Sequence, residues 1–192
     1  VKTKGNVQAN VILNSQVSAD QEVTLTGKKG LIAGGSVHGM LGISCITAGN
    51  MSEIRTGLHV GLKQETMEQR IDVNERYSKV NQELEDTVAS MAKIMRVRQQ
   101  SGELSEPLQK HLVELKRRKD EIYTRCMEIR KEANAMESMV LAAREAKIRV
   151  EGNIYHGVVI SIDNHDMVIN RDTSFMEYQC QNGIITGTVV VV

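Results

Sequence analysis

The sequence predicts a mixed β and α fold: a short parallel β-helix, interrupted by a long antiparallel coiled-coil hairpin and followed by a closing β segment. Three observations predict it. Apolar residues recur six apart through the first fifty positions. A heptad rhythm replaces that spacing from about residue 66. Strand-like alternation then returns at Ile148, again with apolar residues six apart. Composition agrees: aromatics are 3% of the chain, there is no tryptophan, and Phe175 is the single phenylalanine. Compact cores lean on large rings, whereas stacked coils and helical seams are built from Val, Ile, Leu, Met and Ala.

The first segment, residues 1–62, carries Val1, Val7, Leu13, Ala19, Leu25, Leu31, Val37 and Ile43, with Gly49 next in phase. A hexapeptide spacing marks a β-helix in which one residue of each short strand points inward. Three such strands make a coil of about 18 residues, so about three coils are expected here. The stretch "IRTGLHVGLKQETMEQRI", residues 54–71, changes pattern without a proline. Ile54, Leu58 and Val60 alternate with polar residues or glycine, and after Leu62 apolar residues fall three or four apart. The stretch reads as the exit from a coil into a helix: the sixfold phase fails at Arg55, and Gly61 lets the backbone bend. The return is expected near Ile148 to Gly152, with the two ends of the hairpin side by side.

Residues 63–148 read as the hairpin. Thr66 and Gln69 match a capping box. Val73, Tyr77, Val80, Leu84, Thr87, Met91, Ile94 and Arg98 step alternately by four and three, which defines a seam. "SGELSEP" breaks it: Gly102 suits the position past a helix end, Ser105 caps the next helix, and Pro107 fits its first turn. Leu108, Leu112, Leu115, Lys119, Ile122, Cys126, Ile129, Ala133, Met136, Val140 and Ala143 continue the rhythm to about residue 148. So short a turn forces antiparallel helices, and 1.5 Å per residue gives an arm of about 50–60 Å. Residues 149–192 return to strands: Ile148, Ile154 and Ile160 are six apart, "DNHD" at 163–166 is a turn, and Asn182-Gly183 is a hairpin dipeptide.

Charge and cysteines narrow the function classes. Twenty-four basic residues balance twenty-four acidic ones, so nothing draws the whole molecule toward nucleic acid. The basic run "KRRKDE", residues 116–121, spreads around a helix and reads as a solvated face. No apolar run approaches the roughly 20 residues of a membrane span. The chain starts at Val1 with neither methionine nor secretion signal, which reads as a processed or expressed fragment. Cys45, Cys126 and Cys180 are odd in number and far apart, arguing for a reducing cytoplasm over a disulfide framework or zinc site. No cofactor is expected.

Two patterns offer chemistry. Hexapeptide acyltransferases use a histidine base, which makes His38 and His59 candidates; the alternative is turn or solvent-facing histidines. Asp163, His165 and Asp166 have ligand chemistry for a metal, but Asp-Asn is equally turn chemistry. Contacts with other proteins are the leading reading. The candidate surfaces are the arm tip, Gly102, Glu103, Leu104 and Ser105, and the uncharged terminal strand, Val189, Val190 and Val191. That strand would pair with another chain if exposed, so a homo-oligomer through the coiled coil or the terminal strand, or a self-polymerising structural protein, is a second reading.

The order of "GLIAGGSVHG", "AGNMSEIRTGLHVG", a helical hairpin and "GNIYHGVVISI" resembles the C-terminal part of the flagellar assembly protein A family. Gly34, Gly35, Ser36 and Val37 match its glycine-rich stretch. Gly49, Thr56, Leu58, Val60 and Gly61 match much of its second segment. Tyr155, Gly157 and Val158, with Ile154 for valine, match its "VYPGV" segment, and Asn182, Gly183 and Ile184 resemble its ending. The resemblance covers about residues 30–192. His156 replaces the usual proline, and Lys63-Gln64 stand where many members have Asp-Pro. These motifs are glycines and strand residues, so no catalytic residue is carried over. The resemblance implies a bacterial, cytoplasmic, non-enzymatic scaffold or targeting protein for flagellar assembly or placement, acting through protein partners.

Overall fold

A computed structural model describes residues 1–190 of the chain. It divides into two units, Val1–Gln64 with Met139–Val192, and Glu65–Ser138.

The first unit is a β-solenoid. Its strands are β1 (Lys2–Thr3), β2 (Val7–Ala9), β3 (Val11–Ala19), β4 (Glu22–Leu25), β5 (Leu31–Gly39), β6 (Gly42–Cys45), β7 (Thr47–Ala48) and β8 (Thr56–Val60). After the helices come β9 (Lys147–Ile154), β10 (Val159–Ile162), β11 (His165–Val168), β12 (Thr173–Gln181) and β13 (Ile184–Val189). Parallel strands stack in three ladders, each sending a column of apolar side chains inward. One column is Val17, Val37, Leu58 and Ile160. A second is Val7, Val23, Ile43 and Ile148. A third is Ile12, Ile32, Ala48 and Ile154. Except for half-buried Val7, all are buried in one core. Burial of each large side chain contributes about 1.5–3 kcal/mol.

The three-sided coil follows the sequence reading, but its period is not fixed at six. On the first ladder Lys2 lies beside Ser18, Ser18 beside His38 and His38 beside His59, steps of 16, 20 and 21 residues. Corners of different length reset the phase at each face. Side chains alternate along a strand, so a slip of one residue exchanges inside for outside. Ile12 and Ile32 therefore point inward, while Leu13, in phase with the hexad, is 53% exposed. At one corner Gly34 and Gly35 have φ of 77° and 84°. A Cβ on Gly35 would collide with the Ser15 backbone in the coil below, so the stacked corner itself demands glycine.

The solenoid resumes after the helices as if uninterrupted. β9 lies parallel to β6, with Ile43 beside Ile148, and β10 lies parallel to β8. Antiparallel strands close it. β10 turns into β11 through Asp163 and Asn164, both in the left-handed region, which is type I′ hairpin geometry. β12 pairs antiparallel with β9, with a bulge at Phe175. β13 folds back on β12 through Asn182-Gly183, again with positive φ at both residues.

The second unit is a hairpin built from α1 (Gln64–Ser101) and α2 (Glu106–Ala143). Val73, Thr87 and Ile94 of α1 and Leu112, Leu115, Ile122 and Cys126 of α2 are buried, as the heptad reading expects; Arg98 is exposed. Ion pairs fix the antiparallel register: Arg70 with Glu137, Arg76 with Glu132, and Glu83 with both Arg118 and Arg125. Two boundaries differ from expectation. α1 starts at Gln64, so Thr66 lies inside the first turn rather than at the cap. α2 stops at Ala143, because strand pairing takes over at Lys147.

Candidate functional site

At the arm tip, α1 ends at Ser101, and Gly102 takes a φ of 78° while its amide donates to the Arg98 carbonyl at 2.9 Å. This is the left-handed helix stop that glycine allows. Leu104 turns inward and packs with Ile94, Leu112 and Leu115. Gln109 fastens the turn, its Nε2 donating to the Leu104 carbonyl at 2.8 Å. Of the four tip residues named from sequence, Gly102, Glu103 and Ser105 face outward, whereas Leu104 closes the end of the seam.

The terminal strand β13 pairs with β12 alone among the described strands. Ile184 is 66% and Val189 70% exposed, and the strand carries no charge. The Val190 amide donates to the Phe175 carbonyl at 2.7 Å. Val191 lies outside the described residues.

His38 and His59 are brought together. They sit side by side on β5 and β8, one coil apart in the outward column that also holds Ser18 and Ser161. The segment Gly61–Lys63 is fastened over this column. His38 Nε2 donates to the Gly61 carbonyl at 3.1 Å, and Lys63 Nζ donates to Ser18 Oγ at 2.5 Å. The Gly61 amide donates to the Met40 carbonyl at 3.2 Å, and the Asp163 carboxylate accepts from the Leu62 amide. Leu62 packs against Val140, Ala143 and Met40. Burial, then the Lys63 charge, holds the His38 pKa below its ordinary value. Burial does the same for His59, against an opposing pull from Asp166. With its proton on Nε2, His38 leaves Nδ1 buried without a hydrogen-bond partner. The chemistry on view is the fastening of a chain segment.

"DNHD" is a hairpin turn with two uses. Asp163 reaches the Leu62 amide, and His165 Nδ1 bonds the Asp163 carbonyl at 2.9 Å. Burial raises the Asp163 pKa. Among the described residues no group of three or more His, Cys, Asp or Glu side chains is placed to hold a metal ion. In "KRRKDE", Arg117 pairs with Glu114 and Glu121, and Arg118 with Glu83, so much of the run is engaged along the helices. Cys45 and Cys126 are buried and Cys180 half-buried. Burial, with the Glu151 charge, pushes the Cys45 thiol pKa up to about 12.

One cluster escaped sequence reasoning. His156 Nδ1 lies 2.7 Å from Asp172 Oδ1, and its Nε2 lies 2.9 Å from Glu53 Oε1. The His156 amide also donates to Asp172 at 2.9 Å. An imidazole between two carboxylates is favoured in its charged form, and its pKa is raised first by the bond to Asp172 and then by that to Glu53. The three residues are far apart in the chain, and the only hint in the sequence was the histidine at a position where proline is usual. The cluster ties three loops of the solenoid together.

Among the described residues no helix is long and apolar enough to cross a membrane. A family model described as the Flagellar Assembly Protein A beta solenoid domain matches residues 1–185. The match takes in the first coils, which the sequence resemblance left out. No curated protein and no solved structure matches the chain.

Proposed function

Because the chain belongs to the Flagellar Assembly Protein A beta solenoid family, we propose that it is a non-enzymatic scaffold or targeting protein of flagellar assembly, working in the bacterial cytoplasm through protein contacts. The observation that carries this reading is the helical hairpin itself. Two 38-residue helices leave the solenoid and are exposed over most of their length. Such an element adds little to the core of the fold and offers a long surface for recognition. The outward tip residues Gly102, Glu103 and Ser105 are its proposed end contact.

The test is to shorten α1 and α2 by matched heptads at the tip, which keeps the seam in register. In the source organism the shortened chain is expected to fail to restore flagellar number or placement in a strain lacking the protein. Full restoration would remove the arm from the function. The uncharged edge of β13 supports a second reading, growth by strand pairing between copies. Particles that grow with concentration by light scattering, and no longer grow in Val189→Lys, support that reading; a monodisperse monomer or dimer across concentrations excludes it.

A further inference from the structure

Each helix of the hairpin carries a second stripe of heptad-spaced positions, one residue C-terminal to its buried seam. On α2 the stripe is Lys116, Asp120, Tyr123, Met127, Arg130 and Asn134, all exposed. On α1 it holds Ile71, Asn74, Ser78, Asn81, Glu85, Val88, Ala92 and Met95, all exposed except half-buried Asn81, whose side-chain amide donates to Glu85 at 2.8 Å. One residue is about 100° around a helix, so each stripe lies beside its seam rather than opposite it. The helices run antiparallel, so the same rotation brings both stripes to one face of the hairpin. Two adjacent seams on every helix is the pattern of a four-helix bundle. A hairpin alone uses one.

That face is incomplete within one chain. Tyr123 is 54% and Met127 45% exposed. With Thr124, Glu128, Arg130, Lys131 and Asn134, all on α2, they border an open groove of about 750 Å³. Arg130 makes no ion pair among the described residues, and the only ion pair of Asp120 is with its neighbour Lys119.

The charges specify what covers it. Laid antiparallel on a copy of itself, about a twofold axis level with Arg125, the α2 stripe is self-complementary. Lys116 meets Asn134, Asp120 meets Arg130, and Tyr123 meets Met127, each pair occurring twice. Sulfur on an aromatic ring is a favourable contact, and the ion pairs flank it. The Glu83–Arg125 ion pair sets the level of α1. About that same axis, Ile71 meets Met95, Asn74 meets Ala92, Ser78 meets Val88, and Asn81 meets Glu85, an amide opposite a carboxylate it can donate to. The other face-to-face arrangement, α1 on α2, sets Asp120 against Val88 and Arg130 against Ser78 and leaves both charges unmatched. We propose that this face of the hairpin is a homodimer interface, in which two chains dock arm to arm as an antiparallel four-helix bundle. The partner is a second copy, and the inference stands whether or not the flagellar reading does.

The test is sedimentation equilibrium of the full chain over a wide concentration range, with circular dichroism confirming helix content. Wild type is expected to be a dimer in equilibrium with monomer. Asp120→Arg and Arg130→Asp each place like charges opposite one another, and each is expected to weaken dimerisation at least about tenfold. A one-to-one mixture of the two variants restores opposite charges on both sides and is expected to dimerise again. Should either reversal disturb the helices, Tyr123→Ala combined with Met127→Ala serves in its place and is expected to weaken the dimer. A wild type that stays monomeric throughout, a dimer that no variant weakens, or a mixture that fails to recover would each overturn the proposal. A dimer lost only on Val189→Lys would likewise overturn it, by moving the contact to the edge strand.

Discussion

His156 sits on a loop of the solenoid between two carboxylates. Its imidazole is held between Asp172 and Glu53, which raises its pKa. A raised folded-state pKa means that the clamp contributes fully below the unfolded value of about 6.5 and is lost as pH rises through the folded value. Thermal unfolding from pH 5 to 9 is expected to show this loss on the alkaline side, and His156→Ala to remove it; an unchanged profile in the variant would refute the clamp. His38 has the opposite sign. Its pKa is lowered by burial and by Lys63, so the unfolded chain binds the proton more readily and stability falls as pH drops below about 6.5. Cysteine reactivity follows the same physics. With its thiol pushed up to about 12, Cys45 is protonated and shielded, so alkylation followed by mass spectrometry is expected to label Cys180 well before Cys45. Gly35→Ala forces a Cβ into the Ser15 backbone at a left-handed position, and is expected to cost roughly 2 kcal/mol or more in denaturant unfolding.

At the scale of elements, the columns of the solenoid and the seam of the hairpin are the two ways this chain buries aliphatic residues. Ile148, Ile154 and Ile160 are each 0% exposed, one in each column. Ile160→Ala is expected to cost about 2–5 kcal/mol in chemical denaturation; a loss below 1 kcal/mol would show that the column does not carry the fold. Strand alternation after Ile148, both hairpin turns and nearly every seam residue were legible, because each follows from a local period or a turn dipeptide. The capping box at Thr66 was not borne out, since the helix begins two residues earlier at Gln64. The hexad was only partly right. It identified a three-sided coil but misassigned Leu13, because corner length is set by what stacks beneath the corner.

For the whole molecule, the consequential feature is that the solenoid register continues across an insertion of two helices. Gly42 pairs with Lys147 in the same parallel ladder in which Glu22 pairs with Gly42. The β structure is therefore expected to be self-sufficient. A chain with residues 65–138 replaced by a short glycine-rich link should keep its β signal and cooperative unfolding while losing the helical signal at 222 nm. Failure of that chain to fold would show that the hairpin is needed to bring β9 onto β6. The Gly61–Lys63 strap is anchored by Ser18, His38 and Asp163, which lie in three different coils or turns. No spacing in the sequence could have joined them.

The sequence by itself determined the fold class, the family and the sites of its turns. Those are carried by local periods of two, six and seven, and by glycines whose backbone geometry no other residue adopts cheaply. Only the tertiary structure decided which residue of each strand faces inward, which histidines meet, and that Leu104 closes the arm tip instead of presenting there. The physical reason is the same in each case. Coil corners and ladder stacking join residues tens of positions apart, and their register depends on neighbours in space rather than on neighbours in the chain.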